Sequence, residues 1–182
     1  MQKGEPLEAR ESLIRTKPTN FSRIIINAIE KASPNAKVAI INSGSIRLDD
    51  VLQAPVTQYD ILRSLPFGGG IVEVDMKGSL LKEILEAGRK NTGIGGFLHY
   101  SSAVFYDAIN QQWTYQKTAI ENELVYKVAL TDFLMTGGEA NMGFLTSSNP
   151  AIIKVYPAVT NITDPRSDIR LAIIQYMEKL QP

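Results

Sequence analysis

Two hydrophobic periods alternate along this chain, and that alternation limits its fold more than any other feature. Residues 20 to 33 place Ile24, Ile25, Ala28, Ile29 and Ala32 on one helical face before Pro34 stops the run, and Lys37 to Ile41 then reads as a buried strand. Thr57 to Leu65 reads as a short helix and Ile71 to Met76, alternating apolar with acidic residues, as a half-exposed strand. Ser79 is placed to cap a helix with Leu80, Leu81, Ile84 and Leu85 inward. A glycine-bearing loop at 91 to 96 precedes strands at Ala103 to Tyr106, Trp113 to Gln116 and Tyr126 to Leu130, with a turn at Asn110 to Gln112, so the middle is rich in β-structure. Asp164 and Pro165 open a last helix whose stripe is Ile169, Ile173, Tyr176, Met177 and Leu180. Interleaved helices and strands predict an α/β fold of the mixed α+β kind.

No disulfide can staple that fold, because the chain has no cysteine. Its 182 residues, 44% of them apolar, suffice for one domain with a hydrophobic core, expected to span 1 to 182. Lys plus Arg and Asp plus Glu both number 19, so no basic surplus points to nucleic acid or an anionic membrane as partner. Any anion must be bound by placed residues. No stretch approaches the roughly 18 apolar residues of a membrane span, and the opening MQKGEPLEARESLIR lacks the apolar core of a signal peptide. A single histidine, His99, cannot supply the imidazoles of a metal-hydrolase centre, so no catalytic or metal-ligating set is expected in this chain.

Three segments carry binding chemistry. In NSGSIR, 42 to 47, a strand ends in small residues that let a ligand approach the backbone. Arg47 then offers a planar fork of donors for phosphate or hydroxyls, and Asn42 a donor and an acceptor for a base edge. The alternative is a strand-to-loop turn with a surface arginine. LPFGGG, 65 to 70, sets Phe67 between a proline and three glycines, where its face is free for stacking or, alternatively, tucked into the core. DFLMTGGEANMGF, 132 to 144, joins Phe133, a diglycine turn and Glu139, whose carboxylate suits a ribose diol but is equally compatible with a solvated turn.

In this order, NSGSIR, LPFGGGIVEVDMKGSLLKEILE and YKVALTDFLMTGGEANMGF resemble the C-terminal domain of the 5'-nucleotidase family, with its NGGGIR, LPFGN plus KGxxLKEALE helix, and YxVAxNDFLAxGGDGF. RESLIRTKPTNFSRIIINAI is similar to that family's RxxVRxxETNxGNLIADA helix, and the likeness runs from about residue 7 to 177. It implies a mixed sheet flanked by helices, and a substrate-recognition domain whose N-terminal metallophosphatase partner domain, holding two divalent metal ions, is absent from this chain. Alone, the chain would then bind a nucleotide or nucleoside without hydrolysing it. By position, Phe67 and Phe133 would sandwich the base, Asn42 would touch it, Arg15 and Arg47 would contact phosphate or ribose with Arg10 extending the basic wall, and Glu139 would take the place of a ribose-binding aspartate. The resemblance also implies a periplasmic or extracellular hydrolase acting on 5'-nucleotides, cyclic nucleotides or nucleotide sugars. The contrasting expectation is a stand-alone, non-catalytic nucleotide-binding module.

Three departures accompany the likeness: GGDG is GGEA here, NGGGIR is NSGSIR, and TNxGN is TNFSR. Other polar residues have plainer readings. His99 reads as a structural hydrogen bonder, Asp49 and Asp50 as a solvated loop or helix start, and Trp113 with Tyr115 as packing on one strand face.

Overall fold

The structure, a computed structural model, describes residues 4 to 180. The chain begins with β1 (Leu7–Glu8), the single-turn α1 (Glu11–Ile14), α2 (Asn20–Ala32), β2 (Val38–Asn42), β3 (Val51–Leu52) and α3 (Gln58–Ser64). It continues through β4 (Ile71–Lys77), α4 (Gly78–Lys90), β5 (Leu98–Tyr100), β6 (Val104–Asp107), β7 (Gln112–Tyr115) and β8 (Thr118–Ala119). Last come β9 (Val125–Thr131), β10 (Ile152–Val155) and α5 (Ile169–Leu180). The central sheet has the order β10-β4-β9-β2-β5; β2 and β9 are parallel and every other pair is antiparallel. It is the mixed sheet flanked by helices that the motifs imply.

Both faces of this sheet are covered, which explains why β2 is a continuous apolar run and not an alternating one. Ala39, Ile41 and Ala129 pack on one side with α2 and α5, whereas Val38, Ile40, Val72, Val74 and Leu130 pack on the other with α4 and Trp113. Trp113 belongs to a three-stranded sheet, β6-β7-β8. It meets Tyr100 and Tyr106 at ring-centroid distances of 5.6 and 5.2 Å, so this β-rich stretch is packing, as read from its sequence.

Four local readings differ from what the chain does. β4 is not half-exposed: it lies between β9 and β10, and its acids face partners instead of water. Glu73 is buried with Arg166 at 3.7 Å, and Asp75 meets the Lys127 ammonium and the Tyr156 hydroxyl, each at 2.8 Å. Burial alone would raise the Asp75 pKa, but those two hydrogen bonds and the charge of Lys127 outweigh it and leave the carboxyl below its ordinary value.

Ser79 does not cap α4. The helix starts directly from β4 at Gly78, and the Leu124 and Asn122 carbonyls accept the Gly78 and Ser79 N–H groups at 2.8 and 3.0 Å. A Cβ on Gly78 would lie 2.0 Å from the Glu121 carbonyl oxygen, so only glycine fits this junction. Asp164 and Pro165 open a 3-10 turn, Pro165–Ser167, and α5 begins after Asp168, whose carboxylate accepts the Arg170 N–H at 2.8 Å. The stripe of α5 is buried at Ile169 and Ile173 but exposed at Leu180. Gln112 lies in β7, not in the preceding turn, which Gln111 closes with a positive φ of 52°.

Candidate functional site

Strand direction gathers the motifs at one end of the central sheet. Because β2 and β9 are parallel, Asn42 and Thr131 end their strands at the same edge, with NSGSIR and the DFLMTGGEA turn beyond them. β4 runs the other way and pairs Ile71 with Thr131, which delivers LPFGGG to that edge. β5 is also antiparallel, pairing Leu98 with Asn42, and brings the 91 to 97 loop. Ends of sheets where several loops converge are the usual sites for ligands.

Phe67 is 74% exposed, so its core-buried alternative does not hold, and Phe133 is 45% exposed. Leu65, fully buried, anchors the LPFGGG turn; Gly68 and Gly69 take φ of 62° and 99°, left-handed values that suit glycine and lift Phe67 off the surface. One side chain ties the two aromatic segments together. The Asp132 carboxylate accepts the Gly70 N–H at 2.9 Å and the Phe133 N–H at 2.7 Å, while the Asp132 N–H donates to the Gly70 carbonyl at 2.9 Å. Neither Phe67 nor Phe133 takes part in the ring pairs formed elsewhere, such as Phe97 with His99. Two free aromatic faces on adjoining, braced loops can accept a flat ligand.

Asn42 and Glu139, 97 residues apart, meet directly: the Asn42 amide donates to Glu139 Oε2 at 2.5 Å, and its oxygen accepts the Ser45 hydroxyl at 2.6 Å. Glu139 Oε1 accepts the Ala140 N–H at 2.7 Å. The carboxylate therefore points along the sheet end, not into solvent, and a carboxylate has acceptor positions left for hydroxyl donors.

Arg15 and Arg47 converge on a residue that sequence reading passed over. Glu11 pairs with the Arg15 guanidinium at 2.5 Å through Oε2, and Arg47 Nε lies 3.9 Å from Oε1. The signal was present in the i,i+4 spacing of Glu11, which opens α1, and Arg15, its C-cap. The Arg47 N–H donates to the Ser64 carbonyl at 2.8 Å, which fixes the arginine to the end of α3 just before LPFGGG. Arg10 pairs with a different acid: its Nε donates to Glu8 at 2.8 Å, and that hydrogen bond raises its pKa.

The 91 to 96 loop, read from its glycines only as a loop, links these groups. Gly93 N–H donates to the Arg15 carbonyl and Gly44 N–H to the Gly95 carbonyl, both at 2.7 Å. Asn91, buried, donates to the Gly96 and Ala140 carbonyls at 3.2 and 2.8 Å and accepts from Asn141 at 2.6 Å, which holds the Glu139 turn.

His99 lies outside this cluster. It is buried on β5, edge-on to Phe97, and neither ring nitrogen reaches hydrogen-bond geometry, so the structural hydrogen bonder expected here is instead a packed aromatic. Burial pushes its pKa down to about 4; the Ile14 backbone opposes that shift by more than the nearby positive charge of Arg23 adds to it. Among the described residues no group of three or more His, Asp or Glu is placed to hold a metal ion. Nor is any helix among them long and apolar enough to cross a membrane.

Comparison with known proteins decides what this arrangement belongs to. A family model described as 5'-nucleotidase, C-terminal domain, matches residues 4–146. The chain belongs to the 5'-nucleotidase C-terminal domain family. It is 27% identical over 160 residues to the trifunctional nucleotide phosphoesterase protein YfkN of Bacillus subtilis, a match that covers 79% of this chain and 11% of YfkN. It is 31% identical over 124 residues to the 5'-nucleotidase of Rattus norvegicus, covering 58% of this chain and 22% of that enzyme. This 5'-nucleotidase C-terminal domain thus spans a quarter or less of these curated relatives. Among solved structures, the 5'-nucleotidase precursor from Thermus thermophilus superposes with a TM-score of 0.74 at 20% identity, over 100% of this chain and 37% of that one, a likeness of fold.

Proposed function

We propose that this domain is the nucleotide-recognition part of a 5'-nucleotidase-type metallophosphoesterase, a hydrolase of phosphate esters of nucleotides. In this reading Phe67 and Phe133 stack on the base, Asn42 and Glu139 meet the base edge and ribose diol, and Arg15 and Arg47 hold phosphate. The supporting observation is that one sheet end presents an exposed, braced pair of Phe-bearing loops beside an Asn–Glu pair and two arginines.

Binding here would spend interaction energy on orientation, setting the scissile phosphoryl group where another domain acts on it. No residue set described in this 5'-nucleotidase C-terminal domain suits a metal, so no hydrolytic step is assigned to it. An N-terminal metallophosphatase domain with two divalent ions would polarise the phosphoryl group and activate water. The same reading places the whole enzyme in the periplasm or outside the cell, with nucleotide catabolism as its setting, and takes residues 1 to 182 as one domain.

Calorimetric titration with adenosine and uridine tests the base site. Phe67→Ala and Phe133→Ala should each weaken both ligands by about 1–3 kcal/mol, since stacking tolerates any base. Loss confined to one nucleoside, or unchanged binding in both variants, would refute the shared slot.

A further inference from the structure

We propose that Glu11 is a built-in counter-charge that shifts the anion site's preference away from the doubly charged phosphate of a monoester and toward a singly charged phosphate, as in a phosphodiester. The inference rests on the nucleotide reading above and deepens it. Arg15 and Arg47 bring two positive charges, but the Glu11 carboxylate pairs with the first at 2.5 Å and reaches toward the second at 3.9 Å. Those three side chains therefore sum to +1, not +2, and the neighbouring Asp49 carboxylate lowers the field further. Glu11 is held there from its other side as well, because its backbone N–H donates to Asp49 Oδ1 at 3.0 Å. Arg15 turns one end of its guanidinium to Glu11 and buries Nε without a partner, which leaves the Arg47 side chain, 46% exposed, as the open donor.

Charge arithmetic gives the direction of that shift. Attraction between a site and an anion grows in proportion to the anion's charge, whereas the cost of stripping its water grows roughly with the square of that charge. Lowering the site charge removes attraction without lowering the desolvation cost, so the loss falls most heavily on the dianion. A phosphate entering between the arginines must also face the Glu11 carboxylate, a repulsion twice as large for a dianion as for a monoanion. Glu11 thereby acts as a specificity-determining residue that touches the phosphate's binding partners.

The test uses the 182-residue chain and three ligands that share one nucleoside: adenosine, adenosine 5'-monophosphate and its methyl ester. At pH 8 the monophosphate is a dianion, since its second pKa is about 6, and the methyl ester is a monoanion. Glu11→Gln keeps the side chain's size, and unchanged adenosine affinity reports an intact fold. The variant should bind the monophosphate about tenfold tighter and the methyl ester about threefold tighter than wild type, the square-law relation expected of a charge effect. Equal gains for both esters, or weaker monophosphate binding in the variant, would overturn the proposal. Phenyl phosphate and methyl phenyl phosphate, which carry no nucleoside, supply a second pair in which the same inequality is expected. If adenosine fails to bind while the aryl esters show that inequality, the nucleoside reading falls and the charge preference stands; absence of the inequality in both pairs overturns the charge preference itself.

Discussion

Asp132 offers the sharpest perturbation of the candidate site, because one carboxylate braces both aromatic loops without itself carrying a ring. Asp132→Ala deletes the acceptors for the Gly70 and Phe133 N–H groups but leaves the backbone N–H of residue 132 donating to the Gly70 carbonyl. Asp132 is exposed, so the neutral range applies better than the charge-assisted one, and two bonds at about 0.5–1.5 kcal/mol each give a loss of about 1–3 kcal/mol. For a domain of this size that lowers the melting temperature by about 2–4 °C per kcal/mol, measured by circular dichroism. Asp132→Asn keeps one acceptor oxygen and should show about half the effect. Binding should suffer too: with the loops no longer tied, adenosine affinity should fall about two- to fivefold, less than the full loss of a stacking ring. A variant that melts earlier yet binds adenosine like wild type would show that Asp132 supports the fold alone, and would refute its role in setting the slot.

Converting Arg47 to Ala should weaken adenosine 5'-monophosphate more than adenosine in parallel titrations, because only the former carries the phosphate charge; equal losses would indicate a purely steric role. Glu139→Asp shortens the reach to the Asn42 amide, now bridged at 2.5 Å, so nucleoside binding should weaken, and tighter binding would contradict the ribose assignment. His99 gives a pH signature. Its folded pKa, about 4, lies below the ordinary 6.5, so the unfolded chain takes up the proton first and stability falls as pH drops from 6.5 toward 4. The loss should reach about 2 kcal/mol by pH 5 in urea unfolding. His99→Phe should flatten that slope between pH 7 and 5, and an unchanged slope would locate the titrating group elsewhere.

The helices α2, α3 and α4 were legible because their apolar stripes are long and regular, and β2 because a buried run needs no alternation. β4 misled for a physical reason: its alternating acids look like a water-facing edge, yet Glu73 and Asp75 are neutralised by Arg166 and Lys127 from distant segments. No single-strand pattern records a partner 52 residues away. The short strands β1, β3, β5, β8 and β10 were missed, since two to four residues carry too little periodicity. Within the site, exposed Phe67 could be anticipated from its flanking glycines, whereas Asp132, Asn91 and Glu11 act through loop-to-loop contacts that only the folded topology creates.

A crystal structure of the chain with adenosine 5'-monophosphate would place every group at once. The base should lie between Phe67 and Phe133, with ribose hydroxyls donating to the Glu139 carboxylate beside Asn42 and the phosphate on Arg15 and Arg47. Adenine bound away from the two phenylalanine rings, or a phosphate that leaves both arginines untouched, would contradict that arrangement.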